Sequence, residues 1–264
     1  MNELQSNWYK EQFSGSLELR NSLPIENFDT FLKMNEEHPY LQSFDDIGKF
    51  RWETVRLWMH YKGVYLLPTI EFIDWLYENI FPEDKYDDDY MDNKVIEIGA
   101  GFGLLGTALG IRMTDSKLQE RNPDVMAYYT LMGQPLIKYP KNVIMMDANT
   151  AVNYYKARTV IGSYITFGSK SAEVCSTLGA NYYGPDMEKL YQDSERIVLI
   201  GNLSINAHMN NPILKYPHKE YSDVPGLLTR SDPNLNRVWV WEKRIKKNGQ
   251  NPRFHSKCRS KLHK

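Results

Sequence analysis

The sequence predicts an α/β protein with three layers, in which a mostly parallel sheet carries helices on both faces and an N-terminal helical extension precedes it. Short apolar runs recur from residue 94 to residue 242, and most are separated by enough chain for a covering helix. The runs are continuously apolar, as in strands buried on both faces, where one-sided burial would give alternation. A chain of 264 residues that is 42% hydrophobic is long enough to bury one substantial core with a small appendage.

The elements follow in order. Before the sheet, Leu57, Tyr61, Ile70, Ile73, Trp75, Leu76 and Ile80 recur at helical intervals. The stretch "LPTIEFIDWLYENI" (67–80) opens on Pro68 and Thr69, a suitable helix entry. These helices form either an extra layer on the sheet or a lid over a ligand crevice. The acidic "PEDKYDDDYMD" (82–92) reads as a surface loop, because its carboxylates lack the spacing of a calcium loop. Strands are expected at "KVIEIG" (94–99), "GIRMT" (110–114), "NVIMMD" (142–147), "RTVIGSYIT" (158–166), "RIVLIGN" (196–202) and "RVWVWE" (237–242). The clearest covering helices are "LLGTAL" after the first strand, "NTAVNYYKA" (149–157) and "PDMEKLYQDS" (185–194). The expected organisation is an extension or cap over 1–92, an α/β domain over 93–245 and a basic tail over 246–264.

Composition narrows the setting. The formal net charge is -1, yet Arg237–Lys264 holds ten Lys and Arg against the single acid Glu242. This end reads as a solvated tail, or as a contact for nucleic acid or another anionic partner. No apolar run approaches the ~18 residues of a spanning helix, and the N-terminus lacks the order of a signal peptide, so a soluble, cytoplasmic protein without membrane contact is expected. Cys175 and Cys258 stand far apart, with no metal-ligand spacing, so neither a disulfide nor a metal site is expected.

The chemistry concentrates in "VIEIGAGFGLLG" (95–106), which places Gly99, Gly101, Gly103 and Gly106 directly after an apolar strand. Beyond the carboxyl end of a parallel strand, glycine lets the backbone turn sharply and approach a ligand closely. A tight structural turn needs one or two glycines. A dinucleotide fingerprint is present as Gly101, Gly103 and Gly106, two residues later than the strand end suggests. The third reading is Glu-x-Gly-x-Gly-x-Gly, met by Glu97, Gly99, Gly101 and Gly103.

"EIGAGFG" resembles the first motif of the class I S-adenosylmethionine-dependent methyltransferases, which have a Rossmann-like fold. The resemblance extends over roughly 94–202 and implies a bound methyl donor, S-adenosyl-L-methionine. It implies that the glycine turn, which includes Ala100, wraps the donor's amino-acid part and that Glu97 orders loop and ligand; Phe102 is suited either to shielding the donor's methionine chain or to standing as a solvent-side loop aromatic. "IRMTDS" ends at Asp115, eighteen residues after Glu97, where the family places an acid on the ribose hydroxyls; Ser116 follows it. "VIMMDA" ends at Asp147 and Ala148, where the family sets a polar residue and a backbone amide against the adenine edge. Asp147 is equally suited to capping the helix that follows.

The fourth strand departs from the base-methylating families. It ends in "GSYITFGSK", without a Pro-Pro pair or a carboxylate, so that Ser163, Tyr164 and Thr166 are left to line a pocket. After the fifth strand, "GNLSINAHMNNP" brings Asn202 and His208 toward the same edge, with His208 the candidate general base. Methyl transfer to a small-molecule acceptor is the leading expectation. The alternatives are a catalytically silent methyltransferase-like binding or scaffold protein and, third, an NAD(P)-dependent oxidoreductase.

Overall fold

A computed structural model describes residues 25–33, 40–81, 91, 93–131, 133–171, 180–206 and 211–243. His208, Cys175, Cys258, the basic tail and nearly all of the acidic 82–92 stretch lie outside the described residues. Seven strands form the central sheet: β1 Val95–Glu97, β2 Arg112–Asp115, β3 Val143–Met145, β4 Thr159–Ser163, β5 Arg196–Asn202, β6 Lys219–Tyr221 and β7 Asn236–Glu242. Their order is β3-β2-β1-β4-β5-β7-β6. The first five are parallel, while β7 runs antiparallel to both β5 and β6. The chain therefore lays β2 and β3 on one side of β1 and then crosses to β4 on the other. The crevice at this reversal, beyond the carboxyl ends of β1 and β4, is where open α/β sheets bind ligands.

Among the described residues the helices are α1 Ile25–Leu32, α2 Trp52–Lys62, α3 Ile70–Asn79, α4 Leu104–Leu109, α5 Pro123–Leu131, α6 Ala148–Tyr155 and α7 Met187–Asp193, besides three one-turn α segments and two short 3-10 turns. Alternate strand residues feed two cores. Val95, Ile161, Val198, Ile200, Val238 and Val240 pack on one face with α3 and α4. Ile96, Val160, Ile197, Leu199, Trp239 and Trp241 pack on the other with α6 and α7. Period-two burial on both faces accounts for the continuous hydrophobicity of these runs.

The helix expected over 67–80 begins at Ile70, with Thr69 as its cap: the Thr69 hydroxyl accepts from the Phe72 N–H at 3.2 Å. Its buried side chains share a core with β1, β4 and β5, so α3 is a layer of the sheet. A third apolar cluster joins Phe28 and Leu32 of α1 to Val55, Trp58 and Met59 of α2, and Phe102 and Leu104 of the glycine loop pack against it. The N-terminal helices thus lie over one flank of that loop.

Three sequence expectations change. β3 stops at Met145, leaving Asp147 outside the strand. β6, "KEY", was not expected; it is a short, polar, largely exposed edge strand without an apolar signal. α5 was not expected either, and it buries none of its residues. Among the described residues no helix is long and apolar enough to cross a membrane, and no His, Cys, Asp or Glu cluster could hold a metal.

Candidate functional site at the glycine loop

The loop leaving β1 is built by backbone conformations that glycine favours. Gly99, Gly101 and Gly103 have φ of 58°, 55° and 67°, all left-handed. At Gly101, the requirement combines with open space: a Cβ there would meet only the tip of Ile137, at 3.4 Å. This is the point where the backbone is most approachable. Gly106 serves a different need, since a Cβ there would fall 2.3 Å from the Met113 side chain and 2.6 Å from a Glu97 carboxylate oxygen. It lets α4 lie directly on β1 and β2.

Glu97 explains how the turn is held. Gly103 is the N-cap of α4 and has no side chain to satisfy the helix's first N–H groups. The Glu97 carboxylate, 2% exposed, accepts from the Gly106 N–H at 2.8 Å and takes over that capping role from within β1. Burial pushes its carboxyl up to about 8, against the hydrogen bond from Gly106, which favours its protonated form near neutral pH.

Asp115, at the end of β2, ties the loop from the other side. Its carboxylate accepts from the Gly101 N–H at 3.0 Å and from the Lys117 N–H at 2.7 Å, and the Tyr139 hydroxyl also bonds to it. Burial raises its carboxyl above the ordinary range, while these three hydrogen bonds oppose the shift. A carboxylate offers about four acceptor directions, so part of its capacity remains for a ligand. Lys117, next but one after Asp115 with φ 53°, and Tyr164, immediately after β4 with φ 54°, are non-glycine residues held in the left-handed region. Such strain flanks the crevice on both sides.

A strap of residues 133–140, without regular structure, crosses this edge. The Ile137 N–H donates to the Gln119 side-chain oxygen at 3.1 Å and pins the strap. Its Ile137 faces Gly101 and its Tyr139 faces Asp115. Both were missed from sequence. The available signal was an eight-residue stretch, "GQPLIKYP", set between α5 and β3 and punctuated by two prolines.

The remaining predicted residues fall in different places. Ala100 is buried and its N–H donates to the Thr114 carbonyl at 3.0 Å, so it anchors the loop to β2. Phe102, partly buried, packs against the N-terminal cluster. Ser116 and Ser163, both half-buried, close β2 and β4 at the crevice edge. Asp147 is the exposed N-cap of α6, accepting from the Thr150 N–H at 3.0 Å, and Ala148 begins that helix. Asn202 closes β5. It is 1% exposed, its side-chain oxygen accepts from the Ser204 N–H and hydroxyl, and its side-chain amide donates to the Asp232 carbonyl. Both ends of that amide are engaged in the turn after β5. Tyr164 does stand at the crevice.

No family model matches this sequence, and no curated protein matches it. Solved structures with some similarity include a protein of Thermoplasma acidophilum, 14% identical with TM-score 0.30, covering 66% of this chain and 97% of that one. An rRNA methylase from Streptococcus thermophilus is 11% identical with TM-score 0.32, covering 65% of this chain and 93% of that one. A mutant of Spodoptera frugiperda DNMT2 is 9% identical with TM-score 0.30, covering 62% of this chain and 54% of that one.

Proposed function

We propose that this crevice binds S-adenosyl-L-methionine and that the protein is a methyltransferase of the class I type. The observation that carries the reading is the pairing of an approachable left-handed glycine, Gly101, with the Asp115 carboxylate that fixes its N–H. Asp115 would receive the ribose hydroxyls, and the Gly99–Gly103 turn would pass along the amino-acid part. When bound, the donor supplies an activated sulfonium leaving group: the sulfur–methyl bond breaks as the acceptor–methyl bond forms. The protein's contribution is then chiefly alignment and exclusion of water.

The sheet order favours this reading over a nicotinamide cofactor. Dinucleotide folds run 3-2-1-4-5-6, whereas here the antiparallel β7 is inserted between β5 and β6. Binding without turnover is the second reading, and the Asn202 amide, engaged in the turn after β5, favours it. Retention of labelled S-adenosylmethionine, competed separately with S-adenosylhomocysteine and NADH, tests the proposal. Competition by the homocysteine product alone is expected; competition by NADH, or no retention, contradicts it.

A further inference from the structure

Across the crevice from Asp115 lies a buried cation without a counter-ion. Arg230 is 6% exposed, and among the described residues no carboxylate pairs with it or with Arg56, whose Nε donates to the Arg230 carbonyl at 3.3 Å. The Arg230 guanidinium stacks 3.5 Å from the centre of the Tyr65 ring. Its Nη1 is buried with no hydrogen-bond partner, and its Nη2 reaches the Gln134 side-chain oxygen only at 3.4 Å. The same Gln134 oxygen accepts from the Tyr65 hydroxyl at 3.2 Å. Tyr164 packs on Tyr65 at 5.3 Å between ring centres, and its hydroxyl is likewise buried without a partner, facing the Thr229 and Ser231 side chains. Burial first, and then Arg230 and Arg56, push His60 down to about 3, so it adds no charge of its own.

Burying an unpaired guanidinium is costly, and a buried polar group left unsatisfied calls for a missing partner. Here one neutral amide oxygen stands between a guanidinium and a phenol at two long, weak distances. An anionic oxygen in that position would make charge-assisted bonds to both.

We propose that Arg230 and Tyr65, with Tyr164 beside them, form a binding site for the oxyanion of a carboxylate- or phosphate-bearing ligand, which displaces the Gln134 side-chain oxygen. The site is placed at the end of β4 next to the glycine loop, so the ligand is the methyl acceptor; that attribution rests on the donor-site reading above. The anion site itself does not.

Thermal unfolding of the full chain, with acetate or inorganic phosphate added at constant ionic strength against chloride, tests it without any donor present. At about fivefold Kd, one of these anions should raise the melting temperature by about 2–4 °C. The response should disappear in Arg230→Met. Gln134→Glu provides a second arm that does not depend on that variant folding: its carboxylate would occupy the site internally, raising the melting temperature without added anion and abolishing the response. No response of the wild type to either anion, an equal response in Arg230→Met, or an unaltered response in Gln134→Glu would overturn the proposal. A donor that binds while both anions fail would reject the anion site alone.

Discussion

The two ends of the central sheet are built from similar side chains and treat them differently. At the amino end, Arg158 pairs with Glu195 at 2.6 Å, Arg196 with Glu242 at 3.0 Å and Lys189 with Asp193 at 2.7 Å, each pair with at least one exposed partner. A shallow recess between α6 and α7 is lined by such groups, among them Lys156, Arg158, Asp193 and Glu195. At the carboxyl end, Glu97 is buried under a helix it caps, Asp115 holds a strained loop, and Arg230 and Tyr164 keep buried atoms without partners. A recess whose charges neutralise one another offers a ligand little. Groups withdrawn from water and left incompletely paired offer a great deal, which is why perturbed titrations cluster at functional sites.

Substitutions should separate the two ends. The largest effect is expected from Gly101→Val, which forces a branched side chain into a left-handed backbone and fills the open approach; donor affinity should fall by at least ~100-fold, about 2.7 kcal/mol. Calorimetric titration checks it, and retained affinity in a folded variant would remove the glycine loop from the site. Asp115→Ala should weaken donor binding by about 1.5–3 kcal/mol, the scale of hydrogen bonds to a charged group, while the fold persists in circular dichroism.

Glu97 yields a pH dependence with a definite sign. Its carboxyl lies at about 8 in the fold and near the ordinary range when unfolded, so between these values the folded state holds the extra proton. Stability contributed at low pH is therefore lost as pH rises through this window, by ~1 kcal/mol from pH 6 to pH 7. Urea unfolding at both values should show the loss in the wild type and not in Glu97→Gln, whose side-chain oxygen can still cap Gly106. At the amino end, Arg158→Ala should cost less than ~1 kcal/mol of stability and leave donor binding unchanged, because the pair it breaks with Glu195 is exposed. A fall in donor affinity there would erase the distinction between the two ends.

The legible parts of the site were those made by neighbours in sequence. The glycine turn, the acid in β1 and the acid closing β2 all follow from residue types beside an apolar strand. Asp147 was legible as a cap because an Asp followed by a helical stretch has that local use. The turn that holds Asn202 was not legible because its partners include the Asp232 carbonyl, thirty residues away. Arg230 was invisible for the same reason: the short pair Leu66–Leu67 with Leu228–Thr229 brings it to Tyr65, and α5 leads into the strap that carries Gln134. Neither short strands nor a helix without a buried stripe leaves a periodic signal.

The most direct test is a crystal structure of the protein with S-adenosylhomocysteine. The predicted result is the ligand's ribose on the Asp115 carboxylate, with its amino-acid part along Gly99–Gly103. Ligand bound at the amino end of the sheet, or glycine-loop density that stays empty at saturating concentration, would contradict it.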